Sequence, residues 1–154
     1  MNNSKNKKYW LSKSNLLKWE KKPQTALIKK KDFFCDWFFD GKINIYENCV
    51  LKHINDGYGE KFALICVDAN KFVKKYTYFE INKLVNNFCI QISKILNTNK
   101  IEDKKIMIHS SSSIYSAISM LGCSKLGIEF SVIFEDLELD AINNRIKLFK
   151  PDLF

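Results

Sequence analysis

From residue 61 onward the chain alternates short apolar runs with stretches of helical period, and this alternation constrains the fold more than any other feature. "KFALICVD" (61–68) predicts a short buried strand. "KKYTYFEINKLVNNFCIQISKILNTN" (74–99) predicts the clearest helix, with Thr77 as N-cap and Glu80 three residues on as its capping partner. Ile81, Leu84, Val85, Phe88, Ile92, Ile95 and Leu96 then recur on one face, and Asn97 or Asn99 can end the helix. "KKIMIHS" (104–110) is a second strand. "SSSIYSAISMLGCSKLG" (111–127) is a helix with Ile114, Ala117, Ile118, Leu121 and Cys123 inward, a serine as cap and Gly127 as its stop. "IEFSVIF" (128–134) is a third strand. "LELDAINNRIKLF" (137–149) is a helix with Leu139, Ile142 and Ile146 on one face, ended by Pro151. "DLF" begins one more strand. Apolar strands joined by helices mean a parallel α/β sheet. A complete domain of that class needs the last strand and usually more, so an incomplete parallel-sheet domain is expected.

The lead over residues 1–55 is less regular. It reads as extended and partly structured, with one helical turn possible in "NLLKWEKKPQTAL" before Pro23. "KDFFCDWFF" (31–39) is dense in aromatics and is expected to be buried. In "GKINIYENCVLKH" (41–53), Ile43 and Ile45 alternate before a short helical pattern with Val50, Leu51 and Ile54 on one side. "NDGYGE" (55–60) is a loop of turn formers.

Composition excludes several classes. With 154 residues and 46% hydrophobic content, the chain can form one domain and is not disordered. No apolar run reaches the ~20 residues a transmembrane helix needs. The N-terminal stretch lacks the apolar centre of a secretory signal. Cys35, Cys49, Cys66, Cys89 and Cys123 are odd in number and lack zinc-site spacing. They predict reduced, buried thiols in a cytoplasmic protein, without a disulfide framework. The net charge is +8, and residues 1–31 carry all of it, with ten lysines against Glu20. That segment suits an anionic partner. However, every basic residue except Arg145 is lysine, where a phosphate-reading surface would use the arginine fork. Compositional bias is the better reading, and neither nucleic acid nor membrane is expected as a partner.

The residues that would carry chemistry are sparse. Gly41, Gly57, Gly59, Gly122 and Gly127 form no phosphate-binding loop. His109 ends an apolar strand, a common position for ligand contacts, but it lacks the acid and nucleophile of a triad. Glu135, Asp136, Glu138 and Asp140 gather where a helix begins and suit its dipole better than a cation loop. No catalytic residue and no metal ligand is expected.

"WFFDGKINIYENCVLKH" (37–53) resembles a signature of AMP-forming short-chain acyl-CoA synthetases, the acetate and propionate type, at Trp37, Phe38, Gly41, Asn44, Asn48, Cys49 and His53. "YTYFEI", "AISMLGCSKLGIEFSVIF" and "DAINNRI" resemble later blocks of that family, in order. The "YEN" at 46–48 is also similar to acetoacetate-activating relatives. The resemblance implies an adenylate-forming fold. Residues 1–55 would be the family's N-terminal segment, and residues 56–154 the start of its AMP-binding domain. It implies ATP, magnesium and coenzyme A for the full-length enzyme, through motifs that lie downstream of the region matched here. By family position, Phe134, Glu135 and Asp136 lie on the coenzyme A side, where the family has Phe-Gly-Gly. Two carboxylates there would crowd and repel a polyphosphate. The expectation is a fragment without ligase activity of its own, or a docking module completed by a separately encoded chain. Its helices offer more apolar surface than two or three strands can cover, so poor solubility alone is expected.

Overall fold

The computed structural model describes residues 3–30 and 34–154. It is a mixed α/β protein with small sheets, and its chain divides into two compact units, Met1–Asn44 and Ile45–Phe154.

The first unit begins with helix α1 (Asn3–Ser14), where the sequence predicts an extended, partly structured lead. The expected helical turn before Pro23 shrinks to tight turns after Ser14, where Asn15, Leu16 and Leu17 donate back to Ser12, Lys13 and Ser14. A short antiparallel hairpin follows, β1 (Leu27–Lys29) against β2 (Cys35–Trp37). Of the aromatic run 31–39, residues 31–33 lie outside the described residues. The rest are not buried as expected: Phe34, Trp37 and Phe39 are exposed. The rings pack on one another instead, Trp37 on Trp10 and Phe38, and Phe38 on Trp19. Such edge-on pairs hold aromatics together without a surrounding core. Gly41 sits where a Cβ would stand 2.7 Å from Trp19 Cζ3, so glycine is needed for close approach. Asp40 ties the turn down by accepting from the Gln24 and Thr25 N–H groups at 3.1 and 3.3 Å.

The second unit opens with a helical segment over residues 45–58, widened into π turns at Glu47–Leu51 and Ile54–Tyr58. The loop expected at 55–60 is therefore largely helical, with Gly57 absorbing the kink at φ 85°. Tyr46 and Val50 are buried, and Leu51 and Ile54 pack beside them. Ile45 is exposed and begins the helical segment instead of continuing an alternation.

Strand β3 (Phe62–Val67) is where expected but not as expected. It pairs antiparallel with β4 (Val73–Thr77), a strand the sequence reading had merged into the approach to the next helix. Lys74 and Lys75 hid it, since paired lysines carry no strand signal. Phe62, Ile65 and Val67 are more than half exposed, so β3 is not a buried strand of the parallel sheet.

Helix α2 (Tyr78–Leu96) has the expected start. Glu80 N–H donates to Thr77 Oγ1, and Thr77 N–H donates to Glu80 Oε2. Asn97 ends it in the left-handed region. The parallel pair β5 (Lys105–His109) and β6 (Glu129–Ile133) is joined by α3 (Ile114–Leu126), which stops at Gly127 with φ 73°. Ser113 stands at the N-cap of α3 but its hydroxyl makes no capping bond, so the expected serine cap is positional only.

Helix α4 (Leu139–Phe149) follows β6 and ends at Lys150, just before Pro151. Leu139 is exposed, while Ile142 is buried and Ile146 packs beside it. The chain then returns alongside β5, where Leu153 bridges Ile106 in parallel sense. The strand expected at "DLF" is reduced to this single bridge. Side-chain alternation along β5 divides two clusters. Ile106 and Ile108 meet Ile92, Cys123 and Ile128, while Met107 meets Ile133 and Ile142 of α4. Each such buried side chain contributes about 1.5–3 kcal/mol of transfer free energy.

Candidate functional site

In open α/β sheets, ligands bind beyond the carboxyl ends of parallel strands. Here those ends carry the serines at 110–113 after β5, and Phe134, Glu135 and Asp136 after β6. The fold brings the two segments together. Ser111, Ser112, Phe134, Glu135 and Asp136 line a cleft of about 300 Å³. A second cleft of about 390 Å³ shares Ser111, Ser112 and Phe134 with the first. It reaches between α3, at Ser116, Ala117 and Met120, and residues 64–67 of β3.

The serine loop is held internally. Ser116 is buried; its hydroxyl donates to the Ser111 carbonyl and lies within hydrogen-bond distance of Ser110 Oγ, at 2.9 Å. This fixes the loop over the first turn of α3. The two acids beyond β6 are exposed, and no lysine, arginine or histidine lines either cleft among the described residues. A polyphosphate entering the smaller cleft would meet two carboxylates with no cation to offset them. The residues present do not fit coenzyme A or a nucleotide triphosphate there. Among the described residues, no three His, Cys, Asp or Glu side chains come together as metal ligands.

His109 faces elsewhere. Its ring stacks on Phe154 with centroids 5.9 Å apart and planes 13° from parallel. His53 stacks on Tyr78 at 4.8 Å. Of the thiols expected to be buried, Cys35 and Cys49 are exposed, while Cys89 and Cys123 lie in the core, where burial pushes both thiols up, Cys123 to about 12. A thiol held protonated is a poor nucleophile. Among the described residues, no helix is long and apolar enough to cross a membrane.

The sequence points to Phe134, Glu135 and Asp136 of the smaller cleft but not to the β3 wall or Ser116 of the larger. Nothing in the local pattern of "ALICV" sets a cleft-lining strand apart from a core strand.

The molecule is thus a mixed α/β protein whose clefts open at the ends of parallel strands but carry little chemistry. Residues 3–49 match the family profile of the acetyl-coenzyme A synthetase N-terminus. An acetyl-coenzyme A synthetase of Leptospira biflexa is 30% identical over 154 aligned residues, which cover 97% of this chain and 23% of the relative. The Streptomyces coelicolor acetyl-coenzyme A synthetase is 27% identical, over 90% of this chain and 21% of its own length. The crystal structure of CmiS6 shares the fold, with a TM-score of 0.62 at 14% identity over 72% of this chain and 25% of that one. The chain is similar, along nearly its whole length, to the N-terminal part of acetyl-coenzyme A synthetases. It spans about a fifth of the length of the curated relatives it matches.

Proposed function

We propose that the chain supplies the N-terminal part of an AMP-forming short-chain acyl-CoA synthetase of the acetate or propionate type, and that these 154 residues alone form no thioester. The observation that carries this is similarity along 97% of the chain to an acetyl-coenzyme A synthetase, combined with clefts lined by no cationic side chain and, among the described residues, no cluster of three metal-ligating side chains. In this reading residues 1–55 are the family's N-terminal segment. Residues 56–154 begin the adenylate-forming, AMP-binding domain, as an incomplete parallel sheet in a cytoplasmic enzyme. ATP, magnesium and coenzyme A belong to the whole enzyme, and Phe134, Glu135 and Asp136 stand on its coenzyme A side in altered form. The chain's part is scaffold. The test is purified protein with acetate or propionate, ATP, magnesium and coenzyme A, assayed for pyrophosphate and thioester. No turnover above a heat-killed control is expected, and clear turnover would overturn the reading.

A second reading is favoured by β3 and β6, each of which pairs on one side alone among the described residues. The chain would then be a docking module, completed by the remainder of a synthetase encoded separately.

A further inference from the structure

Beyond the synthetase reading, we propose that the first unit, Met1–Asn44, binds single-stranded nucleic acid on a surface where exposed rings of α1 and β2 stand among unpaired lysines. Charge placement is the first observation. This unit holds eleven lysines against four acids, while Ile45–Phe154 holds fourteen basic residues against thirteen acids. A lysine bias of the whole chain would not leave one unit nearly balanced and the other strongly basic. Nor are the described acids free to neutralise the excess. Asp36 pairs with Lys30 at 2.6 Å and Glu20 with Lys42 at 3.0 Å. Asp40 accepts from the Gln24 and Thr25 N–H groups, and Asp32 lies outside the described residues. Lys7, Lys8, Lys13, Lys21, Lys22 and Lys29 are all exposed, and none forms an ion pair among the described residues.

Aromatic placement is the second. Tyr9, Trp10 and Trp37 form a run of edge-on rings with centroids 5.3 and 5.4 Å apart, yet each stays about half exposed. Lysines border this run. Lys13 lies one helical turn beyond Tyr9, with its ammonium 5.4 Å from that ring's centre. Lys7 is three residues before Trp10 on α1, a spacing that makes the two side chains neighbours. Phe34 and Phe39 flank β2 and are exposed as well. Rings that can take unpaired bases, set among cations that meet the phosphates, are the two parts of a single-strand surface.

The occupant follows from what each alternative needs. A bilayer needs one apolar stripe along the helix. On α1 the large apolar residues are Tyr9, Trp10 and Leu11, which are consecutive and so fan around the axis about 100° apart. A duplex keeps its base faces inside its own stack, and an acidic polypeptide would meet the lysines but leave the rings unused. Lysine is a point charge without arginine's fork. Reading base edges needs that fork, whereas neutralising a backbone does not. The surface should therefore hold a strand without selecting its sequence.

The three tryptophans, Trp10, Trp19 and Trp37, all belong to this unit, so intrinsic fluorescence reports on it alone. The test titrates the 154-residue chain, in dilute solution, with oligothymidylate of about 16 nucleotides, long enough for a single-strand site. The tryptophans should be quenched. Log affinity should fall against log salt with a slope of about −4, as six lysines each neutralise one phosphate. Lys7→Gln, Lys8→Gln and Lys13→Gln together should reduce that slope to about −2. Tyr9→Ala should weaken binding about fivefold or more with helix content unchanged by circular dichroism, while Tyr9→Phe keeps the ring and the affinity. Absence of quenching would overturn the proposal, as would a Tyr9→Ala chain that binds as tightly as the unsubstituted one. Equal affinity for a duplex of the same length, or for polyacrylate, which has charge but no bases, would overturn it too. Binding to phosphatidylserine vesicles without binding to the oligonucleotide would assign the surface to a bilayer and likewise overturn it.

Discussion

Gly122 of α3 lies against the ring of Phe88 on α2, so closely that a Cβ at position 122 would overlap the ring. The contact lets α2 and α3 approach, and Cys89 donates its thiol proton to the Gly122 carbonyl at 3.7 Å. Glycine inside a helix costs about 1 kcal/mol relative to alanine. Overpacking costs about 1–3 kcal/mol. Gly122→Ala should therefore lower the melting temperature although it raises helix propensity. Pairing it with Phe88→Leu should recover part of the loss, a coupling measurable in a double-mutant cycle by thermal unfolding.

Thr77 and Glu80 satisfy each other's main-chain N–H groups at the start of α2. The same residues join β4 to the helix, so the cap fixes where the strand stops. Thr77→Ala should cost about 1 kcal/mol, and Thr77→Ser much less, because the serine hydroxyl still accepts. Denaturant unfolding with an unchanged slope is the readout. Equal losses for both variants would mean that the threonine methyl, rather than the hydrogen bond, stabilises the turn.

What was legible in the sequence follows from what is local. The capping pair, the stop at Gly127 and the β5–α3–β6 unit depend on residues close in the chain, and their pattern announced them. The β3–β4 hairpin was missed because its second strand begins with Val73, Lys74 and Lys75, and nothing in that triplet marks pairing. The aromatic run was expected inside because aromatics usually are. It stays exposed because its rings pack among themselves. The acids at Glu135 and Asp136 were visible as residues, but their meeting with Ser111 and Ser112 is made by the parallel pairing of β5 with β6 through the α3 crossover. Spacing does not encode that meeting.

Tyr46 and Cys123 should make the fold sensitive to alkali. Burial, with Cys89 and Glu47 adding to it, raises the Tyr46 hydroxyl from 10.0 to about 12. Burial, with Cys89 adding, raises the Cys123 thiol from 9.0 to about 12. The folded chain therefore keeps protons that the unfolded chain gives up. Stability from these groups is whole below pH 9 and is lost as pH rises from 9 toward 12. The melting temperature, followed by circular dichroism, should be level from pH 7 to 9 and then fall. Tyr46→Phe should shallow the fall above pH 10. A melting temperature level to pH 11 in the unsubstituted chain would contradict the assignment.

Asp152 holds the returning chain to β5, and its hold should fail in acid. Its carboxylate accepts from Lys104 Nζ at 2.7 Å and from Lys105 N–H at 2.9 Å. The Lys104 bond, then the Lys105 N–H, lowers its pKa below 3.8. The folded state thus favours the ionised form. The stabilisation is present above the unfolded value of 3.8 and is lost as pH falls below it, through the lower folded value. Leu153 is next in the chain, and its carbonyl accepts from Met107 N–H at 2.9 Å. Acid should therefore release the Met107 amide first, while Ile108, paired across β5–β6 with Val132, stays protected. Amide exchange followed by NMR from pH 6 to 3 should show the Met107 protection factor falling relative to that of Ile108. Asp152→Asn should show the same loss already at pH 6, because the amide keeps an acceptor oxygen but not the charge that binds Lys104. Equal protection of the two amides at every pH would mean that Leu153 is held by its side chain in the core rather than by the Asp152 clamp.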